Sequence, residues 1–312
     1  MTNPTRIVIA AATFCRPQGL TRLLDAIEAL DTTADVRVVI CDNDAEDQAG
    51  MRVVADRAKD FRFPLECILA PQRGISHARN ALFDYISKIE DCDFAALIDD
   101  DEWPDPQWLT AYETIARQTG ADVTGGPVLS AFDSETVDPV VVGCEQFRRT
   151  KKPDGPVPVI LSTENVFIKS SVLTLVERPW FDVDFGITGG EDADVFQRLK
   201  RAGASFAWAD AAEVTELVPA SRSTRAWAQK RNFRRGCNTA WRALRRPGKL
   251  KSLPRIVLLG LAGIVSFPVF WVLNIGKPIR QFDAKLRLWR AFGYFAGLAQ
   301  IRIQDYKKVH GR

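Results

Sequence analysis

Phe94-Ala95-Ala96-Leu97-Ile98-Asp99-Asp100-Asp101-Glu102 is the stretch on which the reading of this chain turns. An apolar run stops abruptly at four consecutive acids, as a strand does where it leaves a buried sheet. Carboxylates clustered at a strand end are costly to hold together unless something positive sits among them, so the run points to a metal ion. A second acidic signature, Gly189-Gly190-Glu191-Asp192, stands about ninety positions further on, ahead of a helical pattern, and supplies a candidate base.

Working outward, similar apolar, β-branched runs occur at 7–12, 36–41 and 65–69, separated by helical patterns near 20–30, 51–59 and 75–89. This alternation predicts a Rossmann-like, doubly wound, mostly parallel α/β sheet. Ligands on such sheets bind beyond the carboxyl ends of the strands. The residues there are Thr13 to Arg16, Asp42-Asn43-Asp44, Pro71-Gln72-Arg73-Gly74, and the acids from Asp99 to Glu102. No GxGxxG follows the first strand and no GxxxxGK[ST] occurs anywhere, which removes the main support for a dehydrogenase or a P-loop NTPase. Phosphates would instead meet a divalent ion on Asp99 and Asp101, with Arg79 or Arg73 nearby.

Five motifs now stand in order: Thr13-Phe14-Cys15-Arg16-Pro17, Asp42-Asn43-Asp44, Gly74-Ile75-Ser76-His77-Ala78-Arg79-Asn80, Ile98-Asp99-Asp100-Asp101-Glu102, and Gly190-Glu191-Asp192-Ala193-Asp194-Val195-Phe196-Gln197-Arg198-Leu199. Together they resemble the family 2 glycosyltransferases of GT-A fold, in particular bacterial exopolysaccharide enzymes of the succinoglycan glucosyltransferase kind. The likeness covers roughly residues 5–240. It implies that Thr13, Arg16, Asp42 and Asp44 hold the nucleoside, that Arg79 approaches the donor diphosphate, and that Asp99 and Asp100 belong to the donor site. The Asp-x-Asp pair, Asp99 and Asp101, would hold Mg²⁺ or Mn²⁺. Asp192 would be the general base, with Glu191 as the alternative. A single displacement at the anomeric carbon would then invert it.

Other residues extend this reading. Trp180 is a candidate for stacking on an acceptor sugar, with core packing as the competing role. The glycines Gly186, Gly189 and Gly190 predict a mobile or tightly turned loop over the acceptor. Residues 231–237 (RNFRRGC) occupy the place where processive relatives carry Gln-x-x-Arg-Trp. That motif is absent, which predicts addition of one sugar, with Arg234 and Arg235 contacting a diphosphate of the donor or of a lipid-linked acceptor.

Composition agrees with a globular enzyme carrying an appendage: 46% of the 312 residues are hydrophobic and 26% charged. Six cysteines without a CxxC pair and only two histidines, His77 and His310, argue against a zinc site or a Ser/His/Asp triad. The apolar run after Arg6 is short and reads as a strand, not a secretory signal. The net charge of +3 hides a division: residues 1–221 carry 21 Lys/Arg against 37 Asp/Glu (−16), and residues 222–312 carry 21 against 2 (+19).

The basic run 222–255 is followed by an uncharged stretch, 256–276, of membrane length. A second apolar segment, 291–301, leaves a span, a hairpin and an interfacial helix all open. The expected division is a catalytic domain at 1–221, a basic juxtamembrane helix at 222–255 and membrane-associated helices at 256–312. The partners expected are a nucleoside-diphosphate sugar, UDP-glucose by resemblance, a polyprenyl-diphosphate-linked saccharide and an anionic membrane surface, not nucleic acid. This places the protein at the cytoplasmic face of a bacterial inner membrane. A nucleotidyltransferase or other sugar-nucleotide-processing enzyme of similar fold is the alternative.

Overall fold

The computed structural model describes residues 3–134, 136–186, 188–245, 249–301 and 303. The end of the 256–312 segment, from 304 onward, with His310, lies outside them. In chain order the elements are β1 (Arg6–Thr13), α1 (Pro17–Glu28), β2 (Asp35–Asp42), α2 (Ala49–Arg57), β3 (Leu65–Leu69), α3 (Ile75–Ile86), β4 (Phe94–Ile98), β5 (Glu102–Pro104), α4 (Trp108–Thr119), β6 (Val123–Gly125) and β7 (Val128–Phe132). They continue with α5 (Pro139–Gly143), β8 (Gly155–Pro156), β9 (Asn165–Lys169), α6 (Glu191–Arg201), β10 (Phe206–Trp208), β11 (Val214–Val218), α7 (Arg225–Arg245), α8 (Lys249–Leu273) and α9 (Pro278–Leu298).

Eight strands form the main sheet in the order β3-β2-β1-β4-β9-β6-β10-β8, and β5-β11-β7 form a second, smaller one. The first four strands are parallel, as the sequence pattern predicts, and both faces of the central pair, β1 and β4, are apolar. On β1, Ile7, Ile9 and Ala11 face a core shared with α1 and α4, while Val8 and Ala10 face a core shared with α3 and α6. Two buried faces explain why the strand runs are continuously apolar and not alternating.

Beyond β4 the sheet departs from the parallel pattern, because β9 runs antiparallel to both β4 and β6. The reversal sets Asn165, the first residue of β9, opposite Ile98, the last of β4. It therefore carries Glu164 to the strand edge where Asp99 begins. Asn165 itself is a buried joint. Its amide oxygen accepts from Trp108 Nε1 at 2.8 Å and from the Tyr112 hydroxyl at 2.5 Å, and its Nδ2 donates to the carbonyls of Pro127 and Ala212. Replacing it with alanine strands four buried polar groups, each worth about 1–3 kcal/mol. Asn165→Ala is thus expected to lose at least about 3 kcal/mol, read as a lowered urea midpoint.

Helices α7 and α9 cross in backbone contact. A Cβ built at Gly293 would lie 2.1 Å from the Phe233 carbonyl oxygen, and one at Gly236 would lie 2.2 Å from that of Arg290. Only glycine permits this approach, so α9 is locked on α7 and α8 follows against α9. Gly293→Val is expected to separate the pair and to lower the melting temperature in a thermal scan.

Candidate active site

The carboxyl ends of β1, β2 and β4 open into a cleft with about 1180 Å³ of open space, closed from the far side by α7. Its floor is the acidic turn. Asp100 is buried and accepts from Thr13 Oγ1 at 2.8 Å and from Arg16 Nη1 at 2.7 Å; the same guanidinium nitrogen reaches Asp101 at 2.9 Å. Thr13, Arg16, Asp99, Asp100 and Asp101 all line the cleft. Burial pushes the Asp99 carboxyl up to about 6, although the Arg79 guanidinium 3.1 Å away pulls it down.

Arg79 is buried at the head of α3 and makes ion pairs with Asp99 and Glu191, so it joins the two acidic signatures. Asn80, beside it, takes both backbone groups of Phe181: its Nδ2 donates to the carbonyl at 2.7 Å and its Oδ1 accepts the N–H at 2.9 Å. Ser76 Oγ donates to the Asp182 carbonyl. Through these bonds α3 positions the loop that leads to Gly189 and Gly190. Both glycines have positive φ, +74° and +104°, which makes this loop tightly turned.

Several expectations need correction. Asp42 is fully buried and is consumed by the turn after β2: its carboxylate accepts the N–H groups of Asp44 and Met51. Asp44 likewise accepts from the backbone of Glu46 and Asp47. Of the three residues only Asn43 lines the cleft, and its side chain also ties down the third strand end through Ala70, Gln72 and Gly74. Trp180 is no sugar platform. It is 2% exposed, packs edge-on against Phe83, and donates its indole N–H to the Leu173 carbonyl. Arg234 lines the cleft, but Arg235 is exposed and donates to Gln146.

Neither Glu191 nor Asp192 lines the cleft itself. Glu191 is turned inward onto Arg79, and its Oε2 is buried with no hydrogen-bond partner. Burial raises its carboxyl to about 7. Asp192 stays partly exposed in the first turn of α6, where its carboxyl is raised by burial and lowered by Arg79.

Glu102, the last of the acidic run, also lines the cleft, as do Glu164, Glu216, Arg222, Trp227 and Arg231, to which the sequence reading gives no role in the site. Glu102 and Glu216 stand directly opposite each other on β5 and β11, a cross-strand pair of carboxyl groups. Burial and neighbouring carboxylates hold Glu102 well above the usual range, and Glu216 rises to about 7, with burial the larger cause. Arg222 stands 3.5 Å from Asp101 and 3.8 Å from Glu216. Trp227, Arg231 and Arg234 share one face of α7, and the same stripe continues to Asn238 and Arg242, which donate to the Thr188, Gly189 and Gly190 carbonyls. That periodicity was present in the basic run and is the signal that could have found them.

This geometry agrees with the comparisons. Residues 4–238 match the model of the family described as glycosyltransferase like family 2. The chain belongs to the family 2 glycosyltransferases. The glycosyltransferase is 32% identical over 246 residues to the succinoglycan biosynthesis protein ExoM of Rhizobium meliloti (strain 1021), covering 76% of this chain and 75% of that protein. Its fold resembles the mannosyltransferase PcManGT from Pyrobaculum calidifontis, with a TM-score of 0.61 at 17% identity, over 96% of this chain and 88% of the other. It also resembles S. aureus TarS 1–349, with a TM-score of 0.53 at 12% identity, over 91% and 90% of the two chains. The glycosyltransferase thus has the GT-A fold, extended by a C-terminal apolar helix, and a role in sugar transfer near exopolysaccharide biosynthesis.

Proposed function

We propose that this glycosyltransferase moves a sugar, glucose by resemblance, from a nucleoside diphosphate to a hydroxyl of a polyprenyl-diphosphate-linked saccharide, with inversion and with Mg²⁺ or Mn²⁺. The observation that carries the reading is the cleft, in which Asp99 and Asp101 lie among Arg16, Arg222, Arg231 and Arg234. Guanidinium groups suit the oxygens of a diphosphate, and the two aspartates suit a hard cation. Solved structures of similar fold support the donor class: PcManGT was crystallised with GDP-Man and Mn²⁺, and TarS with UDP-GlcNAc.

Among the described residues no group of three or more His, Cys, Asp or Glu is arranged to hold a metal ion by itself. Two aspartates nonetheless fit such an ion, because Mg²⁺-type sites commonly use one or two carboxylates completed by substrate phosphates. The ion, once bound, would neutralise charge developing on the leaving diphosphate. The chain's own residues do the rest. Arg16 and Arg222 hold Asp101 in place, Arg231 and Arg234 present positive charge from α7, and Asp192, the more exposed of the Glu-Asp pair, takes the acceptor proton. Trp227 also lines the cleft, with the Arg231 guanidinium over its ring at 5.0 Å and Phe147 stacked on it, so it serves to seat Arg231.

We assign 1–221 to catalysis, with Arg222 and the inner stripe of α7 completing it, and the helices from 256 to membrane attachment at the cytoplasmic face. Purified protein incubated with Mg²⁺ or Mn²⁺ and a panel of sugar nucleotides, with and without polyprenyl-diphosphate saccharides, should release nucleoside diphosphate only when both substrates are present. Release of pyrophosphate instead would favour a nucleotidyltransferase.

A further inference from the structure

Helix α8 is apolar and covered on only one face. There Gly260 meets the Phe295 ring, Gly263 meets Ala291, and the Lys285 ammonium sits 5.1 Å from the Trp271 ring. These pairs advance on α8 as they retreat on α9, so the two helices form an antiparallel hairpin in contact over most of its length. The open face carries Leu258, Leu261, Val265, Val269 and Val272, spaced three or four apart as one stripe. Val265 is 71% exposed and Val272 60%. A stripe of this size facing water calls for a cover.

Ser252–Leu273 is long enough to cross a bilayer, but its neighbour opposes that orientation. Between positions 280 and 290, α9 carries Arg280, Asp283, Lys285, Arg287 and Arg290. Arg287 and Arg290 pair with Glu145, while Asp283 accepts from the Glu145 N–H and from Arg148. An upright α8 would draw these charges, and the catalytic body they grip, into hydrocarbon where charged side chains are strongly disfavoured. Lying flat, α8 buries its stripe and leaves α9 in water.

A basic pocket opens at the turn between the two helices, bordered by Phe270 of α8, by Asn274 in the turn and by Arg148, Lys277, Arg280 and Arg287. Asp283 also faces it, but is occupied by Arg148 and the Glu145 N–H. Among the described residues, no carboxylate pairs with Lys277 or Arg280. Cations without partners beside an exposed apolar stripe match one class of ligand, a phosphate that carries acyl chains. We propose that α8 lies flat in one leaflet and that this pocket takes the phosphate of an anionic phospholipid. The proposal rests on the membrane attachment proposed above and goes further, to its orientation and lipid contact.

The test is sedimentation of the full chain with phosphatidylcholine vesicles, with and without phosphatidylglycerol. Lys277→Ala/Arg280→Ala should weaken binding to the anionic vesicles about thirty-fold, since each basic residue near such a surface contributes about a factor of five. Binding to neutral vesicles and sugar transfer in detergent should not change, and Lys200→Ala/Arg201→Ala, at the exposed end of α6, should bind as the parent does. Equal losses in both double variants, or none in the first, would overturn the pocket. Displacement by inorganic phosphate would mean a free-phosphate site. In intact cells, Asn274→Cys should resist a membrane-impermeant maleimide; labelling would mean that α8 crosses. Absence of binding to either vesicle would defeat membrane attachment itself while leaving the transfer reading, measured in detergent, intact.

Discussion

Asp101→Ala is expected to reduce sugar transfer by about 10²- to 10³-fold or more while the protein stays folded. Removing one preorganised charge-stabilising group from an active site typically costs that much, and here the carboxylate lost is both a metal candidate and the anchor of two arginines. Arg16 Nη1 stands 2.9 Å from Asp101 Oδ2 and Arg222 Nη1 stands 3.5 Å away. Without that carboxylate both guanidinium groups lose their common partner. The fold should survive, because what Asp101 contributes to the sheet is its backbone carbonyl, which accepts the Leu217 N–H at 2.9 Å and is retained in alanine. Nucleoside diphosphate release and a thermal unfolding curve, measured on the same preparation, separate the two effects. Retained activity would remove Asp101 from the site.

The adjacent acids of the second signature should separate sharply. Asp192→Asn is expected to lower the rate of transfer by about 10²- to 10⁴-fold, the range for a general base, with unchanged stability. Glu191→Ala should act on the fold. Its partner Arg79 is buried, and breaking a buried ion pair from one side costs about 3–5 kcal/mol, with the lower end expected because Asp99 remains. A urea titration of both variants checks this. If Asp192→Asn destabilises and Glu191→Ala does not, the two roles are reversed.

Much of this was legible in the chain. The parallel strands announce themselves because the central ones are buried on both faces; the observed β3 and β4 coincide with the apolar runs at 65–69 and 94–98. Thr13, Arg16 and the acids from Asp99 follow from their place just past the ends of parallel strands, where such sheets bind ligands, whereas the role expected of Arg79 comes from the resemblance. Asp42, Asp44 and Trp180 mark where the sequence stops being legible: a polar or aromatic residue near a site can be used by the backbone or the core, and sequence position does not distinguish these uses. Asp42 satisfies two N–H groups, and Trp180 fills the gap beneath α3.

The sequence alone determined the layered α/β architecture, the acidic turn after β4, the family, and the change from an acidic body to a basic, apolar tail. These depend on periodicity and on residues close together in the chain. Tertiary structure decided which charges share the cleft. An antiparallel β9 brings in Glu164, the pairing of β5 with β11 sets Glu102 against Glu216, and the inner stripe of α7 turns part of a basic run toward the site. Strand direction and pairing are set by packing against distant segments and leave no local mark on the residues themselves, and the periodicity of the basic run marks a helix face without saying what that face packs against.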